Sequence, residues 1–244
     1  MTNKAIEFLV DENFVYAKVL HYFGVQFYEN RSKTLNEVCL ENNLDESRLK
    51  FLLENNDKKG LSPEDLKKYP ARLIIEYLKH SHQLFIKDRL PYILRLINDI
   101  DLEEPSDMIN DLKFVMPLFV EDFIKHIHEE EDRLFHYVLV LETILKDVKA
   151  PSDFFFGANK FSIQEFALHH GNSDDEMNGI RGITHQYKLE DIKDIRLKVI
   201  LQELQQFDHE LIHHASIENQ ILFPKALNLE KRVHNLLSSN SSLN

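Results

Sequence analysis

A single cysteine, Cys39, occurs in the 244 residues. An internal disulfide framework is therefore excluded, and so is a thiolate zinc site. Cys39 itself reads as a small apolar helix residue in a reducing compartment. Glycine and proline are scarce, with six and seven residues, while Leu, Ile, Glu, Lys and Asp fall in helical spacing, which favours an all-α protein. Basic charge is short too: 29 Lys and Arg stand against 41 Asp and Glu, a net charge of −12. A nucleic-acid partner would need a basic stripe to replace phosphate counterions, and the sequence has none. The acidic surplus reads as a solvated surface that would also attract cations such as iron. No run approaches the roughly 18 uncharged apolar residues of a membrane span, and the first residues form no apolar signal region. A soluble, cytoplasmic protein with no membrane partner is expected.

What the chain does contain is one short pattern, twice. His126 is followed by Glu130 and then Leu134-Phe135; His214 is followed by Glu218 and then Leu222-Phe223-Pro224. On a helix, residues four apart leave the same face about one turn apart. Positions 119, 123, 126, 130, 134, 137 and 141 step by three and four through Phe119, Phe123, Leu134, Tyr137 and Leu141, which turns His126 and Glu130 toward the core. The second pair lies between Leu204, Phe207 and Leu211 on one side and Ile221 and Leu222 on the other. A carboxylate buried there without a partner costs several kcal/mol, about the penalty of a desolvated ion. A lone His-x-x-x-Glu is ordinarily a solvated contact along a helix. Two copies inside core seams point to a metal, which satisfies both pairs at once.

Residues 1–60 read as a small domain of short helices. Ala17 to Phe23 is apolar and ends at Gly24, Thr34 and Glu37 make a capping-box start, and Asp45 opens a helix across Leu49, Phe51 and Leu52. Asn55 to Gly60 is the linker candidate, and Ser62-Pro63 starts a brief helix that ends near Tyr69-Pro70. Residues 61–238 carry four long helices: about Pro70 to Ile100 with a kink at Pro91, Ser106 to Val148 bent at Pro117, Ser162 with its Glu165 box to Tyr187, and Leu189 to Leu227. Ala150 to Phe161 is an apolar loop expected over one end of the bundle, and residues 239–244 are a serine-rich, disordered tail. Long helices with short connections favour an antiparallel up-down four-helix bundle, whose interior is where facing helices build metal sites.

If two of the helices each give a histidine and a glutamate, the other two supply His80 or His82, and His169 or His170. Periodicity leaves these open, since His80 sits among Leu73, Tyr77 and Leu84, and His82 among Ile75, Leu78 and Phe85. Positions 82, 126, 170 and 214 are 44 residues apart each time, which favours His82 and His170. The candidate ligands are thus His82, His126, Glu130, His170, His214 and Glu218. Six ligands imply two metals rather than one structural zinc. Imidazole suits iron and zinc, whereas magnesium and calcium prefer oxygen. The set suits two iron ions bridged by carboxylates and by an oxide or hydroxide, with zinc the lesser alternative; about three ligands per metal leave positions open. His128 and His213 lie beside ligands, and His21, His185, His209 and His234 read as surface or capping residues. Tyr77 and Tyr137 fall in the seams, where filling core volume is their default role.

This pattern resembles the hemerythrin-like di-iron bundle of the iron–sulfur cluster repair proteins, the repair-of-iron-centres type. The resemblance covers nearly the whole chain: residues 12–55, with Tyr22-Phe23-Gly24-Val25 and Thr34-Leu35-Asn36-Glu37-Val38, are similar to that family's small N-terminal domain. It implies that the six residues are iron ligands, with Glu130 and Glu218 bridging. It also implies a role in repairing iron–sulfur centres damaged by oxidative or nitrosative stress, by iron delivery or nitric-oxide chemistry. The partners implied are damaged iron–sulfur proteins and the diatomic ligands nitric oxide and oxygen; a homodimer and enzymatic turnover are left open. Two departures stand out. Phe27-Tyr28-Glu29-Asn30 stands where the family has a Cys-Cys pair followed by glycines, and His136 stands where it often has proline, so the helix there is expected to continue. Two other functions stay open: an oxygen or nitric-oxide carrier or sensor, and a helical interaction module with structural metals. Iron-reconstituted protein should hold about two metal ions per chain by elemental analysis; one or fewer would break the two-metal reading.

Overall fold

The computed structural model describes residues 4–42, 44–54, 66–102, 106–147, 162–173 and 176–241. The protein is all-α: no strand occurs among the described residues beyond an isolated bridge between Ala5 and Thr34. None of the described helices is long and apolar enough to cross a membrane. In chain order the first helices are α1 (Ile6–Glu12), α2 (Val15–Tyr22), α3 (Leu35–Glu41) and α4 (Glu46–Glu54). Then α5 (Ala71–Leu84) runs through a π turn, Phe85–Arg89, into α6 (Leu90–Asp99), and α7 (Asp107–Glu129) runs through a second, Glu130–Phe135, into α8 (His136–Asp147). After α9 (Ile163–Ser173) and α10 (Asn178–Ile183), α11 (Ile195–Ile217) passes through a third π turn, Glu218–Leu222, into α12 (Phe223–Ser241). The linker candidate at 55–60, Ser62-Pro63 and the apolar loop at 150–161 lie outside the described residues.

The chain divides into two compact units. The first comprises Met1–Gly60, Pro91–Phe114 and Ile180–Asp208, and the second Leu61–Leu90, Val115–Gly179 and His209–Asn244. In the first, α3 opens on the expected box: Thr34 Oγ1 accepts from the Glu37 N–H at 3.3 Å and the Glu37 carboxylate accepts from the Thr34 N–H at 2.7 Å. Helix α2 ends at Gly24, whose φ of +75° favours glycine, and the Val25 N–H reaches back to the Leu20 carbonyl. Phe27 is buried and meets the Tyr28 ring edge-on. Cys39 is also buried; desolvation, with Glu46 and Asp45 nearby, pushes its thiol pKa up, which makes it a poor nucleophile.

The second unit has an apolar core made by Ile74, Ile75 and Leu78 of α5, Val138, Leu141 and Ile144 of α8, Ile163 of α9, and Ala226 and Val233 of α12, together with Leu134, Phe135, Ile221 and Leu222 from the π turns. Within it α8 packs on α5 and α12, α9 packs on α12, and α5 meets the Glu218–Leu222 turn.

Two of the π turns have a local cause. Each ends one residue before an X-Pro junction, Leu90-Pro91 and Phe223-Pro224. Proline has no N–H, and its ring collides with the carbonyl four residues back in a regular helix. In both places the residue before proline donates to the carbonyl five residues back, Leu90 to Phe85 and Phe223 to Glu218, so the backbone widens ahead of the ring. The kink expected at Pro91 is this widening. At Glu130–Phe135 no proline follows, and the helix continues through His136 as expected, yet it does so as a π turn, with the His136 N–H reaching the Glu131 carbonyl. Pro117 lies inside α7 without interrupting it.

The third expected helix does not run to Tyr187. It stops at Ser173, resumes as α10, and ends in three consecutive left-handed residues, His185, Gln186 and Tyr187, at φ 49°, 62° and 59°. None is glycine, so the sequence carried no sign of them. Each costs about 1–2 kcal/mol, and an anchor holds them: the Tyr187 hydroxyl donates to buried Asp208 at 2.9 Å, where Arg181 also reaches the carboxylate at 3.4 Å. The fourth expected helix starts at Ile195 rather than Leu189 and continues past Leu227 to Ser241. It takes in the first residues of the expected disordered tail, and the hydroxyls of Ser238, just before that tail, and Ser239, its first residue, donate to carbonyls one turn back. Tyr187→Phe should lower stability to urea by about 1–3 kcal/mol, because it leaves a buried carboxylate short of a donor. Lys188→Ala, at an exposed neighbour, should stay within about 0.5 kcal/mol. Equal stability of the two variants would show that this hydrogen bond does not hold the turn.

Candidate metal centre

Each of the three π turns among the described residues touches the site. Glu130 and Glu218 are the first residues of theirs, and His82 lies one turn ahead of Phe85–Arg89. Such widened turns are rare and concentrate at functional sites. His82, Glu130 and Glu218 are each 1% exposed and His214 is 8% exposed. One ligand atom from each of the four lies within 4.8 Å of all the others. Nε2 of His82 faces Nε2 of His214 at 2.9 Å and Oε2 of Glu130 at 3.2 Å, and Nε2 of His214 faces Oε1 of Glu218 at 3.3 Å. With ligand bonds of about 2.1 Å, donors on one ion stand about 3 Å apart when cis and about 4.2 Å apart when trans. The observed separations fit the edges of such a polyhedron. This buried cluster could hold a metal ion.

The His82 ring is oriented from its far side. Its Nδ1 meets Oε1 of Glu131 at 2.9 Å, and Lys79 lies 4.0 Å from the other oxygen of that carboxylate. A proton on Nδ1 donated to Glu131 leaves the Nε2 lone pair directed into the cluster. Phe135 stacks parallel to the His82 ring at 5.7 Å, and Phe85 meets the His214 ring edge-on at 5.5 Å. His214 Nδ1 is buried and makes no hydrogen bond among the described residues, so packing sets the angle of this ring.

Burial pushes the His82 pKa down, but the hydrogen bond and charge of Glu130, followed by Glu131 and Glu218, outweigh it, and the net shift is upward. The imidazolium therefore stabilises the metal-free fold fully below the ordinary histidine range, and that contribution is lost as pH rises through the raised value. Metal binding has the opposite pH sense, since it needs the proton gone.

His126 takes part from the edge. Its side chain is 27% exposed, and its Nε2 lies 2.9 Å from Oε1 of Glu130. The buried line along α7 and α8 runs through Phe123, Ile127, Glu130, Leu134, Val138 and Leu141, one position off the expected seam at two places, so His126 and Tyr137 flank it. The Tyr137 hydroxyl donates to Glu230 at 2.8 Å. His80 is exposed, on the same outer face as exposed Leu73 and Leu84, while the stripe with Ile75, Leu78 and Phe85 is buried around His82. His128 is exposed and His213 half-buried. His170 is on α9, but like His169 it lies outside the residues whose side chains are described. The structure thus brings His82, His126, Glu130, His214 and Glu218 together. Sequence reasoning passed over Glu131; the only signal was its place directly after a core glutamate in the run Glu129-Glu130-Glu131.

Among known proteins, no family and no curated protein matches the chain.

Glu131→Gln removes the charge that orients His82 while keeping the shape of the side chain, so metal affinity should fall by about 10–100-fold. Titration of metal-free protein with ferrous iron under anaerobic conditions reads this directly. Wild-type affinity in the variant would show that Glu131 does not orient the ligand.

Proposed function

We propose that the chain is a non-haem di-iron protein with a hemerythrin-like four-helix arrangement, acting on iron–sulfur centres damaged by oxidative or nitrosative stress. The observation that carries this reading is the Glu130 carboxylate. Its two oxygens face two different histidines, Oε2 toward His82 and Oε1 toward His126. A carboxylate so placed suits two ions better than one. His82, His214, Glu218 and Oε2 of Glu130 would hold an inner ion, and His126 and Oε1 of Glu130 an outer one, to which the motif adds His170. The donor chemistry fits iron: nitrogen-rich, carboxylate-bridged and free of thiolate.

Bound iron would supply a Lewis-acidic, redox-active centre with positions open to a diatomic ligand. The protein's own contribution is positional. Glu131 holds His82 in one tautomer, Phe85 and Phe135 exclude water from the inner side, and the glutamates offset the charge of the cations. The partly exposed His126 leaves an approach from solvent, by which iron could be delivered or nitric oxide could enter. Buried Phe27 and the poorly nucleophilic Cys39 favour a site that works without a thiol from the N-terminal module.

Iron-loaded protein should bind nitric oxide or azide and should restore activity to an enzyme whose [4Fe–4S] cluster has been damaged by nitric oxide, while Glu130→Ala should do neither. Binding without restoration would instead identify a carrier or sensor, the reading that the solvent approach at His126 also favours. No binding of either ligand would leave structural metals.

A further inference from the structure

Glu176 stands on the turn between α9 and α10, outside anything the repeated motif marks. Its Oε1 lies 3.9 Å from Nε2 of His126, the same nitrogen that Oε1 of Glu130 approaches at 2.9 Å. Which ring nitrogen a carboxylate faces separates two roles. One that only orients a ligand histidine takes the N–H on the far side of the ring, as Glu131 does at Nδ1 of His82. Glu176 instead faces the nitrogen that His126 turns toward Glu130, where an ion would sit.

The distance fits that role. A separation of 3.9 Å falls between those of cis and trans donors on one ion, about 3 and 4.2 Å. Both side chains are about a quarter exposed, 27% for His126 and 25% for Glu176, so neither is locked by packing as the inner four are. From this arrangement the geometry points to Glu176 as a carboxylate ligand of the outer metal position, beside His126 and Oε1 of Glu130.

The inference rests on the two-metal reading above and adds a residue that the motif does not contain. It also makes the two positions chemically unequal. The inner set is two imidazoles and two carboxylates in a buried pocket. The outer gains oxygen character and stays open to water, so it loads last and exchanges first.

Ferrous iron titrated anaerobically into the metal-free, full-length protein tests this, with calorimetry and bound-iron analysis as readouts. Wild type should take up two ions, one more tightly than the other. Glu176→Gln should keep the tight ion and weaken the second by roughly tenfold or more, and His126→Ala should weaken that same ion. Glu176→Asp should recover part of the loss. If wild type holds two ions and Glu176→Gln holds two with unchanged affinities, Glu176 is not a ligand, and the two-metal reading stands without it. If Glu176→Gln loses both ions, its role is not confined to the outer position and the assignment is overturned. If wild type itself holds one ion, the two-metal reading falls and takes this inference with it.

Discussion

Two glutamates and two histidines converge in a buried interior, and the second unit is organised around that fact. Glu130 and Glu218 are as buried as the leucines beside them. Carboxylates in such a place repel each other and forfeit their hydration, a combination that costs several kcal/mol unless cations or donors compensate. Protonated His82 compensates in part in the metal-free chain. A metal ion held by the cluster would do so more fully, because it would meet every inward lone pair at once. Metal affinity and fold stability in this unit therefore draw on the same interactions.

The surroundings serve the same end. Aliphatic side chains alone would leave the imidazoles free to tilt, but Phe135 stacks parallel to His82 and Phe85 stands edge-on to His214. The two copies of the Leu-Phe motif are used differently: Phe135 stacks on a histidine, whereas Phe223 packs against Phe166 in the apolar core. Repetition in the sequence has given equivalent His-Glu pairs in unequal settings. The ring of His82 is fixed by a carboxylate and the ring of His214 by packing.

Much of this was legible beforehand because helical spacing and burial go together. The paired His-x-x-x-Glu segments sat on apolar seams, and the structure buries both glutamates. The choice between His80 and His82 needed the 44-residue interval, yet the fuller apolar stripe, Ala71, Ile74, Ile75, Leu78 and Phe85, already surrounded His82. What escaped was governed by other physics. Glu131 acts through the far nitrogen of a ring on another helix, a relation that no spacing encodes. The left-handed turn at His185 to Tyr187 uses residues that ordinarily avoid that conformation and is tied down by Asp208, distant in sequence. Pro91 was read as a kink and Pro117 as a bend; the first comes with a widened turn just ahead of it, and the second sits inside α7.

A π turn amounts to an α-helix carrying one surplus residue. Since each residue advances an α-helix by about 100°, everything downstream of such a turn is rotated by that amount relative to an uninterrupted helix. Downstream of Glu130 the core takes in Leu134, Val138 and Leu141, and downstream of Glu218 it takes in Ala226 and Val233. Ligand placement and downstream packing are thus coupled in a single register. In evolutionary terms, losing one residue within either segment would swing a whole apolar face out of the core, so these stretches are held to their length as closely as to their buried glutamates.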